Sequence, residues 1–116
     1  MLHIVLHFTL PALLALLAKV RPWWQAFAWL LAGLVIDVDH LLATPVYEPG
    51  RCSIGFHPLH TWPALLLYTA LASYKPARWF GCGLLLHLLL DTLDCFGMPG
   101  GSAQLGMFFS WPAWTR

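Results

Sequence analysis

Four apolar runs, each closed by proline, glycine or basic residues, take up most of this chain, at residues 2–18, 23–43, 62–74 and 78–95. A membrane-spanning helix needs about 20 predominantly apolar residues, with a range of roughly 17–25. The first run meets that length at its short end. The alternative to spanning is a soluble core, and composition argues against it. The sequence is 59% hydrophobic and 9% charged, whereas a soluble domain has about 25% charged residues with which to cover itself. The surplus apolar surface must face lipid. The expected fold is therefore all-α, a polytopic membrane bundle of about four transmembrane helices, with residues 1–116 forming one integral membrane domain.

The breaks between runs are marked by residues that cannot continue a helix. Residues 44–61 contain Pro45, Glu48, Pro49, Gly50, Gly55 and Pro58 and read as a loop. Pro22 leads into Trp23 and Trp24, Pro63 suits a first helical turn, and Pro11 predicts a kink in the first helix. After Gly97, Pro99, Gly100 and Gly101, residues 104–114 are apolar but short, which predicts an interfacial or re-entrant segment. The first run is expected to be a retained helix. A cleaved signal peptide carries its positive charges ahead of the apolar stretch, and here Lys19 and Arg21 follow it. With a net charge of +1 and no basic patch, nucleic acid is not an expected partner.

Lysine and arginine in short loops orient a membrane protein. Lys19 and Arg21 occupy the first connection, and Lys75 and Arg78 the third. Both connections become cytoplasmic if the N-terminus is outside, and Trp23, Trp24 and Trp79 then anchor the inner interface. Trp62, Trp111 and Trp114 are likewise read as interface anchors. This topology puts every histidine and every aspartate in the outer half of the membrane: His3 and His7, Asp37, Asp39 and His40, His57 and His60, and His87, Asp91 and Asp94. It also brings Cys52 and Cys95 to the outer end, where an oxidising compartment permits a disulfide; two buried free thiols are the alternative. Cys82 falls near the inner face. The cysteines match no zinc-thiolate spacing.

Residues three, four and seven apart share a helical face. His87, Asp91 and Asp94 therefore point one way, as do Asp37 with His40 and His3 with His7. Asp39 lies about 160° from Asp37 at 100° per residue, and joins them only if the helix unwinds near Leu41. An aspartate in the middle of a spanning helix costs roughly 2.5–3.5 kcal/mol. Four could cost about 10–14 kcal/mol on that scale, less whatever their depth near the interface relieves. The basic loops lie across the membrane and cannot neutralise them. Structural zinc binding supplies roughly 10–16 kcal/mol. Imidazole with carboxylate is a donor set that suits zinc, with manganese or iron fitting the same donors.

These motifs together resemble a known family. A histidine-bearing first helix, Asp37-Val38-Asp39-His40, a histidine-rich loop entering a helix, and His87 with Asp91 in an HxxxD pattern are similar to the membrane-bound metal-dependent hydrolases of the YdjM type. Within that group the chain is most similar to a small bacterial membrane-protein family of uncharacterised function that carries the loop RCSIGFHPLHT. The resemblance covers nearly the whole chain and implies kinship with zinc-dependent phospholipase C. By motif it implies His7, Asp37, His40, His60, His87 and Asp91 as metal ligands, with Asp39 in or beside their shell. The chain departs from the family in the loop. His57 and His60 stand three apart with Pro58 following, where the family has two histidines five apart with an arginine after the first. Either histidine is thus a candidate ligand. Asp94 replaces a small or hydroxyl residue.

The expectation is a membrane-embedded metal-dependent hydrolase acting on an ester or phosphoester of a lipid or lipid-linked substrate. A divalent metal lowers the pKa of a bound water towards neutrality, and Asp39 or Asp94, each beside candidate ligands, is the expected general base. The expected location is a bacterial inner membrane, multi-pass, with the site facing outwards and self-association left open. The alternative is a non-enzymatic metal-binding or proton- or metal-conducting protein. That reading needs polar residues continuing to the inner face, and residues 25–34 and 79–86 offer almost none. A haem-binding bundle would leave the aspartates unexplained.

Overall fold

The computed structural model describes residues 2–19, 21–44, 50–106 and 108. Glu48, Trp111, Trp114, Arg116 and the prolines at 45 and 49 lie outside the described residues, as does most of the expected interfacial segment 104–114. The described chain is helical, with no strand. In order it forms α1 (Leu2–Leu17), α2 (Trp23–Leu31), a 3₁₀ segment (Ala32–Leu42), a 3₁₀ turn (Pro58–His60), α3 (Trp62–Ser73), a second 3₁₀ turn (Lys75–Ala77), α4 (Arg78–Phe96) and α5 (Gly101–Leu105).

Two stretches are long and apolar enough to cross a membrane, Trp23–Leu42 with 20 residues and Lys75–Phe96 with 22. Two of the four expected spans therefore have full length among the described residues, and the other two are shorter apolar helices. At 1.5 Å per residue α1 reaches about 24 Å and α3 about 18 Å, short of a hydrocarbon core of about 30 Å. α1 runs through Pro11 without ending there.

The second span is not one α-helix. From Ala32 to Leu42 it winds as a 3₁₀ helix, far beyond the three or four residues usual for that form. With three residues per turn, residues three apart eclipse. The buried positions Gly33, Ile36 and Asp39 follow that period and form one inward row. This corrects the expected position of Asp39: no unwinding near Leu41 is needed, because the tighter helix has already turned the side chain inwards.

α4 is the central element, packing against α1, α2, the long 3₁₀ segment, α3 and α5. Glycine permits this crowding. A Cβ on Gly83 would strike the Leu30 backbone, one on Gly33 would lie 2.5 Å from the Gly83 carbonyl carbon, and one on Gly81 would strike the backbone of α3 at Leu71 and Ala72. Such small-residue contacts are how apolar helices approach closely where no hydrophobic force separates helix from lipid. The main core joins Ile36, Cys52, Ile54, Ala64, Tyr68, Leu84, Leu88 and Cys95. Large apolar side chains such as Leu2, Leu17, Trp29, Val38, Leu66, Leu67, Leu89 and Phe96 point outwards, while His7, Asp39, His57, His60, His87 and Asp91 are buried. Apolar groups outside and ionisable groups inside is the distribution a lipid-facing protein requires.

Candidate metal centre

α1 presents His3 and His7 one turn apart. His7 Nδ1 donates to the His3 carbonyl at 2.9 Å, which turns Nε2 away from its own helix and to within 3.3 Å of Asp91 Oδ1. His3 Nε2 lies 3.1 Å from the same oxygen. α4 presents His87 and Asp91, also one turn apart, with His87 Nε2 at 3.2 Å from Asp91 Oδ2 and 3.1 Å from Asp37 Oδ1.

His60 arrives from the loop, and several hydrogen bonds hold it there. The Leu59 N–H donates to Asp39 Oδ2 at 2.8 Å, His60 Nδ1 donates to the same oxygen at 3.0 Å, and Tyr68 donates to the Leu59 carbonyl at 2.9 Å. Gly55, at φ 80°, makes the left-handed turn that lets its N–H reach the His60 carbonyl at 2.8 Å. So fixed, His60 directs Nε2 to within 3.0 Å of Asp91 Oδ2 and 3.7 Å of Asp37 Oδ1. The loop is further tied down by a disulfide from Cys52 to Cys95 at the end of α4 and by Gln104 of α5, which accepts from the Cys52 N–H and donates to the Gly50 carbonyl. The bridge, one of two readings of the cysteines, is the one the structure contains.

Three sets of donor atoms result: Asp37, His60, His87 and Asp91; His3, His7 and Asp91; and Asp39, His40 and His57, each drawn together within 4.8 Å. Asp91 belongs to the first two. In the third, the His40 and His57 rings stack at 4.0 Å, and His40 Nδ1 is 3.3 Å from Asp39 Oδ1. Every candidate ligand named from the sequence enters one of these sets. His3 enters as well, a residue that the family resemblance does not imply as a ligand. Its spacing of four from His7 was the available signal. Of the two candidate bases, Asp39 is buried and already accepts from Leu59 and His60. Asp94 is 37% exposed, with His3 Nδ1 at 3.8 Å.

The residues fit a divalent ion. His7 Nε2, His60 Nε2 and Asp39 Oδ1 are buried without a hydrogen-bond partner, although oppositely disposed groups lie 3.0–3.3 Å away. Buried polar atoms are rarely left so, and each of the three belongs to a different donor set, in which a cation could satisfy it. The loop histidines differ in charge. Burial and the neighbouring His40 push the His57 pKa down to about 4, leaving it neutral with a lone pair to offer. Burial also disfavours the His60 cation, but the carboxylates of Asp37, Asp39 and Asp91 close around it outweigh that and hold its pKa well above the ordinary 6.5. A proton or a metal ion can therefore occupy this position, in competition. The buried His/Asp cluster could hold a metal ion.

No curated protein matches the chain, and no solved structure does. A family model does match, across residues 1–98, a stretch that includes every histidine and aspartate described above, and the chain accordingly belongs to DUF6122, a family of unknown function.

Proposed function

We propose that this protein is a membrane-embedded metal-dependent hydrolase, cleaving an ester or phosphoester of a lipid or lipid-linked substrate. It would be a four-span bundle in a bacterial cytoplasmic membrane with the site at the outer face. One observation carries the reading: the single buried carboxylate of Asp91 has four histidine Nε2 atoms around it, His60 at 3.0 Å, His3 at 3.1 Å, His87 at 3.2 Å and His7 at 3.3 Å. Oδ1 faces the α1 pair and Oδ2 faces His60 and His87, so Asp91 would help either donor set to hold an ion. A divalent ion held there, zinc by donor type, would supply Lewis acidity and a water acidic enough to attack at neutral pH. The chain's own residues would do the rest. Asp39 orients His60, and Asp94, one turn nearer the end of α4, is exposed enough to take a proton from water. A cleft of about 390 Å³ beside His57, lined by Leu42, Ala43, Thr44, Phe56 and Pro58, suits the apolar part of a lipid. The hydrolase reading rests on this chemistry and on the resemblance in motif, since the matched family has no assigned activity.

The test uses detergent-purified full chain with a lipid phosphoester. Asp94→Asn should retain metal and lower turnover by about 10²–10⁴, the usual contribution of a general base. Asp91→Asn should lose the metal. If neither variant alters hydrolysis while metal or proton flux into vesicles falls, the protein is a conduit and the enzyme reading is wrong.

A further inference from the structure

The histidines that converge on Asp91 through Nε2 need their other nitrogen fixed, because a ligating imidazole holds its tautomer and orientation by donating its second N–H. His7 does so to the His3 carbonyl and His60 to Asp39. His87 does not: Nδ1 is buried and has no partner. The ring is only 3% exposed, so bulk water does not serve it.

A half-enclosed pocket of about 10 Å³ lies against this ring, lined among others by His7, Pro11, Leu34, Gly83 and His87. Its size is that of one water molecule, and a buried water needs two to four polar partners. His87 Nδ1 is one. Pro11 creates the other. It stands four residues after His7 in the middle of α1, and having no N–H it cannot close the helical bond to the His7 carbonyl. His7, whose carbonyl lacks its helical donor, and His87, whose buried Nδ1 lacks an acceptor, thus line the same water-sized space.

We infer that one ordered water occupies this pocket, accepting from His87 Nδ1–H and donating to the His7 carbonyl, and that Pro11 is a positioning residue for the metal ligand His87. The water links α1 to α4 behind the ligand atoms and sets the tautomer that leaves His87 Nε2 free. The inference rests on the proposed reading in that His87 ligates through Nε2.

The experiment is NMR of the full chain in detergent with ¹⁵N-labelled histidine, without metal and with added Zn²⁺. Zinc-loaded wild type should show a His87 Nδ1–H resonance with a cross-peak to a bound water. Pro11→Ala restores the N–H and competes for the His7 carbonyl, so the cross-peak should vanish and zinc affinity fall about 10–100-fold, the usual cost of a lost supporting bond. Leu34→Phe fills the pocket from the 3₁₀ segment and should do the same with the sequence of α1 unchanged, which covers the case where Pro11→Ala fails to fold. A His87 Nδ1 that carries no proton in the zinc form, or a Nδ1–H with no water contact, overturns the inference. So does an unchanged cross-peak in both variants. If wild type binds no zinc while the water cross-peak is present in metal-free protein, the metal reading fails and the water stands.

Discussion

His60 Nε2 and Asp91 Oδ2 lie 3.0 Å apart, yet Nε2 has no hydrogen-bond partner. A buried nitrogen and a carboxylate oxygen so placed can share a cation. Asp91 repeats the relationship with His7 through its other oxygen. Purified protein is accordingly expected to carry a zinc-type ion. Asp91→Asn should abolish its binding, while His3→Ala, which removes one donor from one set only, should leave part of it. Metal analysis by mass spectrometry of chelator-free preparations checks both. Equal metal content in wild type and Asp91→Asn would contradict the site.

Metal-free protein should lose stability as the pH rises. A histidine whose pKa is raised in the folded state contributes stability that is fully present below its unfolded value and fades as pH climbs through the folded one. His60 is such a group, raised well above 6.5 by its three carboxylates. Thermal unfolding of chelator-treated protein should therefore shift downwards from about pH 6 into the alkaline range. Saturating zinc, which takes the place of the proton, should flatten the dependence. A melting temperature that rises with pH in the metal-free protein would show that His60 is not held as a cation.

The Cys52–Cys95 bridge joins the loop that carries His57 and His60 to the helix that carries His87 and Asp91. Denatured, unreduced protein should take up one equivalent of a thiol alkylator, at Cys82, and three after reduction. Cys52→Ser should destabilise the fold by roughly 2–5 kcal/mol and weaken metal binding, because the loop is freed while α4 is not.

Helix approach at Gly83 should be intolerant of a methyl group. A Cβ there would lie 2.8 Å from the Leu30 Cα, and backbone cannot rotate aside. Gly83→Ala should cost about 1–3 kcal/mol or more, as overpacking does, read as a lower melting temperature. Gly106→Ala, with nothing among the described residues within 4 Å of the added carbon, is the control and should be neutral by comparison.

The linear order of residues determined which residues could meet. Apolar runs long enough to bury in lipid, lysines and arginines confined to two connections, and histidines and aspartates confined to the other ends of the runs already imply one polar end, because charge sorting and helix length are properties of composition along the chain. Helical spacing likewise paired His3 with His7 and His87 with Asp91. What only the tertiary structure decided was how those pairs divide into sets. Asp39 turns inwards because Gly33 brings the second span against α4 and the segment winds with three residues per turn, a form that an α-helical spacing of 100° per residue does not anticipate. Asp91 is shared between two sets, and His60 rather than His57 reaches it, because Leu59, Tyr68 and the Cys52–Cys95 bridge fix the loop's path. Periodicity reports the face of a helix on which a residue lies; contacts between residues far apart in sequence decide which neighbour that face is given.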